Sequence, residues 1–250
     1  MIKALAARLR QGYRTNRYPV EAPSLPPRFR GKPAVDFSKC PPGCRACEKA
    51  CPSRAMDAEA KTLDLGRCVF CADCSRACPQ GSLKFTTDHR LAAWKREDLV
   101  LGSEFRKPKG APDTPWRRLY GRSLKLRQVS AGGCNACEAD INVLSTITYD
   151  LGRFGIQVVA SPRHADGLIV TGPVTENMKL ALEKTYRALP PPRFVIAVGA
   201  CACSGGLFAG NAEQSGGVAS VLPVDLFIPG CPPHPFTILD GLLRVVGKIG

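Results

Sequence analysis

The chain is expected to fold as two units, a small cysteine-rich α+β unit followed by an open, mostly parallel α/β sheet. Three observations carry that expectation. Its 250 residues exceed the usual span of one domain. Eight of its 13 cysteines lie between positions 40 and 78, at spacings of two and three residues. From residue 124 onward, short apolar runs alternate with amphipathic stretches, the pattern of βα units that bury a parallel sheet between helices.

Taken in order, residues 2–13 place Ile2, Leu5, Leu9 and Tyr13 along one side of a helix, with Lys3, Arg8 and Arg10 elsewhere. A Pro-rich extended stretch follows (Pro19, Pro23, Pro26, Pro27, Pro33), so residues 1–35 read as an N-terminal helix and a docking arm. Residues 36–88 form the compact cysteine unit. Residues 89–122, ending in RKPKGAPDTPWRRLYGR, are a basic linker by composition. In the last segment, 123–250, strands are expected at 124–130, 156–160, 167–171, 194–199 and 224–229, and helices at 138–151, 175–189 and 235–249.

Hydrophobic residues make up 44% of the chain and charged residues 22%, ordinary for a soluble protein with a real core. No apolar run approaches the roughly 18 residues that span a bilayer. The N-terminus scatters Lys and Arg through its apolar residues and lacks the h-region of a signal peptide. The chain therefore reads as cytoplasmic, with any membrane association peripheral or through a partner. The net charge of +14 is localised. Residues 1–40 carry nine Lys and Arg against two acids, and residues 90–127 carry eleven against four; elsewhere the signs balance. These strips are either solvated or dock on acidic partner surfaces or lipid headgroups. A nucleic-acid partner is not expected, because no recognition motif accompanies the charge.

The cysteines carry the chemistry. Cys40-PPG-Cys44-RA-Cys47-EKA-Cys51-Pro52 is followed by Cys68-VF-Cys71-AD-Cys74-SRA-Cys78-Pro79. The second is a C-x2-C-x2-C-x3-C-P run; the first has one additional residue after its first cysteine. Three thiolates on one tight loop cap three irons of a cubane, and in two-cluster ferredoxins the fourth cysteine of each run crosses to the other cluster. The expected sets are Cys40, Cys44, Cys47 and Cys78 for one [4Fe–4S] cluster, and Cys68, Cys71, Cys74 and Cys51 for the other. Structural zinc is the competing reading, but zinc has no use for two interlocked four-cysteine runs each closed by Pro. This unit is therefore expected to be α+β and bacterial-ferredoxin-like.

Three further cysteine groups each follow an expected strand: Cys134 and Cys137 in GGCNACEAD, Cys201 and Cys203 in VGACACSGG, and Cys231 in IPGCPPHP. In an open parallel sheet, ligands bind beyond the strand C-termini, so these thiols should converge at one edge. Four of them suit a third cluster; Cys201 and Cys203 are not ranked by chemistry alone. Glu138 and Asp140 are candidates for proton coupling or subunit contact, or are simply acids opening a helix. His89, His164 and His234 are not spaced like metal ligands.

The stretches GGCNACEADI, DGLIVTGPV, FVIAVGACACSGGLF and VDLFIPGCPPHPFTILDGLL resemble the small electron-transfer subunit of group 4 membrane-bound [NiFe]-hydrogenases. That family includes the formate hydrogenlyase small subunit and is related to the cluster-N2 subunit of respiratory complex I. Residues 36–87 separately resemble the eight-iron ferredoxin subunit of the same complexes, so the chain looks like a fusion of two neighbouring subunits. The resemblance implies a flavodoxin-like α/β domain whose Cys134, Cys137, Cys201 and Cys231 bind a proximal cluster, leaving Cys203 outside the set. It also implies three [4Fe–4S] clusters in all, a [NiFe]-hydrogenase-like large subunit as partner, and membrane subunits of the same complex. The C-x2-C spacing of Cys134 and Cys137 matches the hydrogenase branch. A complex I-like NADH or ferredoxin:quinone oxidoreductase is the alternative.

Overall fold

The computed structural model describes residues 2–102, 112 and 115–249. Helix α1 (Ile2–Gln11) buries none of its side chains, and Ile2 and Leu9 are 85% and 79% exposed. The extended arm behaves differently. Tyr18 is buried and donates its hydroxyl to Asp240 at 2.7 Å, and Arg153 donates to the Asn16 carbonyl at 2.6 Å. The arm expected to dock elsewhere thus packs partly on its own chain.

The cysteine unit is built from very short elements. β1 (Pro33–Val35), α2 (Ala46–Lys49), β2 (Met56–Asp57), β3 (Thr62–Asp64), α3 (Asp73–Ala77) and β4 (Leu83–Phe85) follow in order. β1 pairs antiparallel with β4, and β2 with β3. β5 (Val100–Leu101) adds to the free side of β3. The helices α2 and α3 lie within the two cysteine runs and carry Cys47 and Cys74.

After α4 (Pro115–Tyr120) comes β6 (Leu124–Ser130), then α5 (Ala136–Val143), β7 (Ile156–Val158), β8 (Gly167–Thr171), α6 (Glu176–Arg187), β9 (Phe194–Val198), α7 (Ala200–Ser204), β10 (Leu226–Ile228) and α8 (Pro235–Val245). The five strands form one sheet in the order β10-β9-β8-β6-β7, every pair parallel. Numbered from β6, this is the 2-1-3-4-5 order of flavodoxin-like sheets. The period-2 pleat divides β8 between two cores. Leu168 and Val170 face the core that includes Leu182 of α6. Ile169 faces the core that includes Ile141 of α5 and Leu239 of α8. Each such fully buried side chain contributes roughly 1.5–3 kcal/mol.

Two further expectations differ from what is found. The helix expected over 138–151 starts earlier and ends at Val143, because Thr146 turns its hydroxyl onto the Val143 carbonyl at 2.8 Å and the chain breaks into turns. The stretch expected to be a linker is in large part a packed seam. Leu91, Ala93 and Leu99 are buried in one cluster with Leu63 of the cysteine unit and Leu168 of the sheet. Ala93 exchanges two main-chain hydrogen bonds with Phe227 at the sheet edge, and Trp116 stacks on Phe194 at 4.6 Å. Residues 103–111 and 113–114 of the expected linker lie outside the described residues.

Candidate metal centres and the crevice between them

The two N-terminal cysteine loops share a backbone device. The residue before the second cysteine has positive φ in both, Gly43 at 75° and Phe70 at 54°, and Ala72 beyond Cys71 is also left-handed at 66°. Such conformations in non-glycine residues cost energy and persist where the surroundings require them. They bend each loop tightly around its second cysteine.

Cys40, Cys44, Cys47 and Cys78 line one recess, together with Phe37 and Ala58. Burial pushes the Cys47 thiol above its usual range, and the neighbouring Cys40 and Cys78 add to this. The second group brings Cys51 to Cys68, Cys71 and Cys74. Burial, with those thiols close by, pushes Cys68 up to about 12 and Cys74 up to about 11. The last cysteine of each run therefore stands with the other run. Backbone N–H groups point at three of the sulfurs: Ala55 at Cys51 (3.2 Å), Phe70 at Cys68 (3.4 Å) and Ser82 at Cys78 (3.3 Å). For Cys78, burial raises the pKa, but the N–H donors of Ser82, Gln80 and Gly81 outweigh it and leave the thiol below its usual value.

The third group comes from the segments that leave the C-terminal ends of β6, β9 and β10. Cys134 and Cys137 follow β6, Cys201 opens α7 after β9, and Cys231 follows β10. Burial raises Cys137 strongly and Cys201 to about 11, with Cys134 and Cys231 adjoining both. Cys134 and Cys231 are exposed, so this group opens at the surface. Two glycines make the room. Gly199 has φ +94°, and a Cβ there would stand 2.6 Å from Cys137 Sγ; at Gly206 a Cβ would stand 3.0 Å from Cys201 Sγ. Cys203 is placed apart: it is buried within α7, with its thiol directed at the Ala197 carbonyl and raised to about 12 by burial. Among the described residues, no three His, Cys, Asp or Glu side chains are gathered tightly enough to hold a single metal ion.

The two acids differ. Glu138 Oε1 accepts hydrogen bonds from Ser130 Oγ and Thr171 Oγ1, both at 2.6 Å. Burial opposes its ionisation, but the two hydroxyl donors prevail and hold the carboxyl below its usual value. Glu138 thus ties α5 to the ends of β6 and β8. Asp140 makes no such pair; burial raises its pKa, and it lines an open crevice of ≈ 610 Å³ with Tyr149, Cys71, Cys231 and His234. That crevice separates the second cysteine group from the third. His234 accepts from Phe236 N at 3.2 Å and so caps α8, His89 is buried beside Tyr18, and His164 lies in an exposed turn.

Sequence reasoning missed the residues that tie these sites together. Arg30 donates to the Phe70 carbonyl at 3.0 Å while Phe29 packs edge-on against His234, so two adjacent arm residues touch both cysteine loops. Arg96 pairs with Asp64 through two hydrogen bonds of 2.8 and 2.7 Å. Arg30 and Arg96 lie in stretches that read as arm and linker by composition, and nothing local in sequence announces a partner dozens of residues away.

The family described as NADH ubiquinone oxidoreductase, 20 Kd subunit, matches residues 134–245. A probable membrane-bound hydrogenase subunit (mbhJ) of Pyrococcus furiosus is 41% identical over 132 residues, which are 53% of this chain and 79% of that protein. Formate hydrogenlyase subunit 7 of Escherichia coli is 43% identical over 128 residues, 51% of this chain and 50% of that protein. An NADH-quinone oxidoreductase subunit of Heliobacterium modesticaldum is 40% identical over 131 residues, 52% of this chain and 74% of that protein. Among solved structures, a chain of the membrane-bound sulfane sulfur reductase, an archaeal respiratory membrane complex, aligns with TM-score 0.46 and 31% identity, over 53% of this chain and 75% of that one. With the matched region spanning all three cysteine stretches of the parallel sheet, this chain belongs to the 20 kDa NADH:ubiquinone oxidoreductase subunit family and is a subunit of an oxidoreductase complex.

Proposed function

We propose that the chain is the electron-transfer subunit of a membrane-associated, hydrogenase-like oxidoreductase complex, with twelve of its cysteines holding three [4Fe–4S] clusters. The observation that carries the reading is the grouping of the thiols into three sets of four, two of them exchanging their last cysteine. Cys40, Cys44, Cys47 and Cys78 would hold the first cluster, Cys51, Cys68, Cys71 and Cys74 the second, and Cys134, Cys137, Cys201 and Cys231 the third. Residues 36–88 are then a ferredoxin-like domain fused to the parallel-sheet domain at 123–250.

The residues present fit such a group. The donor sets are all thiol, glycines clear the space beside Cys137 and Cys201, and backbone N–H groups stabilise charge on Cys51, Cys68 and Cys78. One zinc ion takes four ligands and has no use for two interlocked four-cysteine runs each closed by Pro, whereas two cubes that exchange their last cysteine use both runs. When bound, clusters of this kind accept and release single electrons. The chain's own part is to hold them at fixed spacing and to keep water from the buried thiolates. Glu138 acts as a structural tie, and Asp140, facing the crevice, is the better placed of the two for proton coupling.

The partner would be a [NiFe]-hydrogenase-like large subunit seated over the exposed Cys134 and Cys231, with membrane subunits beyond. No described helix is long and apolar enough to cross a membrane, which is compatible with a peripheral place on the cytoplasmic face of the inner membrane. The exposed apolar side of α1, with Lys3, Arg8 and Arg10, is the docking element. Similarity to the NADH-quinone oxidoreductase relative sustains a quinone-linked second reading. Terminal Cys-x2-Cys pairs in the partner's sequence would decide for nickel–iron chemistry; their lack would mean another acceptor. Chemical analysis of anaerobically purified protein tests the cluster assignment: about twelve irons and twelve acid-labile sulfides per chain are expected, and zinc with little sulfide would overturn it.

A further inference from the structure

We propose that Arg96 is a positioning residue that locks the turn delivering Cys68 to the helix carrying Cys201, and so sets the spacing between the second and third cysteine groups. The inference rests on the reading of those groups as cluster sites. It comes from a three-way junction of one guanidinium. Two of its nitrogens bind the Asp64 carboxylate, and its Nε donates to the Cys203 carbonyl at 3.1 Å.

Each end of this junction is itself built onto a cysteine loop. On one side, Asp64 closes β3 and organises the turn that follows. Its carboxylate accepts from Gly66 N at 2.9 Å, and its carbonyl accepts from Arg67 N and Cys68 N at 3.2 and 3.0 Å. On the other side, Cys203 lies in α7 two residues beyond Cys201. Ser204, the last residue of α7, donates its hydroxyl across the seam to the Gly66 carbonyl at 2.9 Å. The guanidinium lies against Gly66 so closely that a Cβ there would stand 2.6 Å from its central carbon. The pair is largely shielded, with Arg96 24% and Asp64 20% exposed.

The geometry needs arginine. A planar fork binds a carboxylate through two parallel bonds and leaves Nε to aim in a third fixed direction, which an ammonium on a flexible stem does not reproduce. Cohesion of the seam has other sources, including buried Leu63, Leu65 and Leu99 and the Leu65 N–H to Leu99 carbonyl bond of 2.8 Å. A shielded ion pair is a weak source of net stability, and its better-attested use is to specify one arrangement over others. Arg96 therefore fixes register between two loops that hydrophobic packing alone would let slide.

The test uses the full chain, purified anaerobically, as wild type, Arg96→Lys and Arg96→Ala. Iron and sulfide are counted first, and the magnetic interaction between the reduced second and third centres is then read by electron paramagnetic resonance. That interaction depends steeply on separation and is indifferent to fold stability as such. The expected result is unchanged iron in both variants, with the wild-type spin–spin splitting lost or smeared, and lysine failing to restore it. Wild-type splitting in both variants would overturn the positioning role while leaving the cluster assignment intact. Loss of iron from both variants, with wild type loaded, would make Arg96 a folding residue and also overturn the proposal. A wild-type chain without cubanes would instead remove the underlying reading.

Discussion

Replacing Gly199 with alanine should empty the third centre and spare the first two. Gly199 sits at φ 94°, ψ 156°, a region that is essentially reserved for glycine and costs a side-chain-bearing residue about 1–3 kcal/mol. The new methyl would also stand 2.6 Å from Cys137 Sγ and 3.6 Å from the Gly230 carbonyl. Such an overlap in a packed site adds roughly 1–3 kcal/mol as neighbours move. The combined cost is roughly 2–6 kcal/mol, a large share of the roughly 5–15 kcal/mol that holds a typical domain. The strain falls on two of the four thiols at once, because Cys137 is displaced directly and Cys201 follows Gly199 into α7. Bound iron should fall from about twelve to about eight per chain, with a lower unfolding midpoint. Absorbance and iron analysis of anaerobic samples read the first effect, and chemical denaturation reads the second. Full iron at wild-type stability would refute the reasoning that Gly199 clears the space for this centre.

Three other outcomes are expected. Tyr18→Phe removes the 2.7 Å hydrogen bond to the fully buried Asp240, whose other partner is Arg244; a bond to a charged acceptor is worth about 1.5–3 kcal/mol, and an unchanged denaturation midpoint would argue that the arm is not fixed there. Burial holds His89 below its usual pKa, so the unfolded chain takes up a proton that the folded chain resists; stability should fall as pH drops below about 6.5 and stop falling below the folded value. His89→Asn should flatten part of that slope, half-buried His234 contributing the rest with the same sign. Parallel wild-type and variant curves across about one pH unit either side of the ordinary histidine value would contradict it. Finally, Leu5→Asp with Leu9→Asp on α1 should release the chain from its membrane-bound complex with its iron unchanged, as read by membrane fractionation; full retention would show that α1 is not the docking element.

How much of this was legible in the sequence depends on the length scale of the signal. The run GLIVT announces β8 with the bounds the structure has, because a five-residue buried strand is uninterrupted apolar sequence. Helices α6 and α8 show through a different signal: their apolar positions repeat over three turns. The elements of the cysteine unit do not show, since strands of two or three residues and helices of four or five hold too few positions for any period. The cysteine groups are proposed from spacing, and the gathering of the last of them from the rule that parallel sheets bind ligands at the strand C-termini. The helix expected to reach residue 151 was over-extended because Thr146 competes for the backbone, an effect that hydrophobic pattern ignores. The seam was hidden by composition. Residues 90–99 hold as many charged residues as apolar ones, and Arg96, which closes on Asp64, looks like its solvated neighbours. Long-range pairing of single polar residues leaves no periodic trace.

The central claim is that twelve thiols hold three iron–sulfur cubes. Native mass spectrometry of the full chain, purified and sprayed without oxygen, weighs that claim most directly by counting what is bound to one polypeptide. The account predicts a dominant species carrying three [4Fe–4S] units, with Cys203→Ser keeping all three and Cys201→Ser keeping two. A dominant species carrying zinc, or one retaining three cubes after Cys201→Ser, would contradict it.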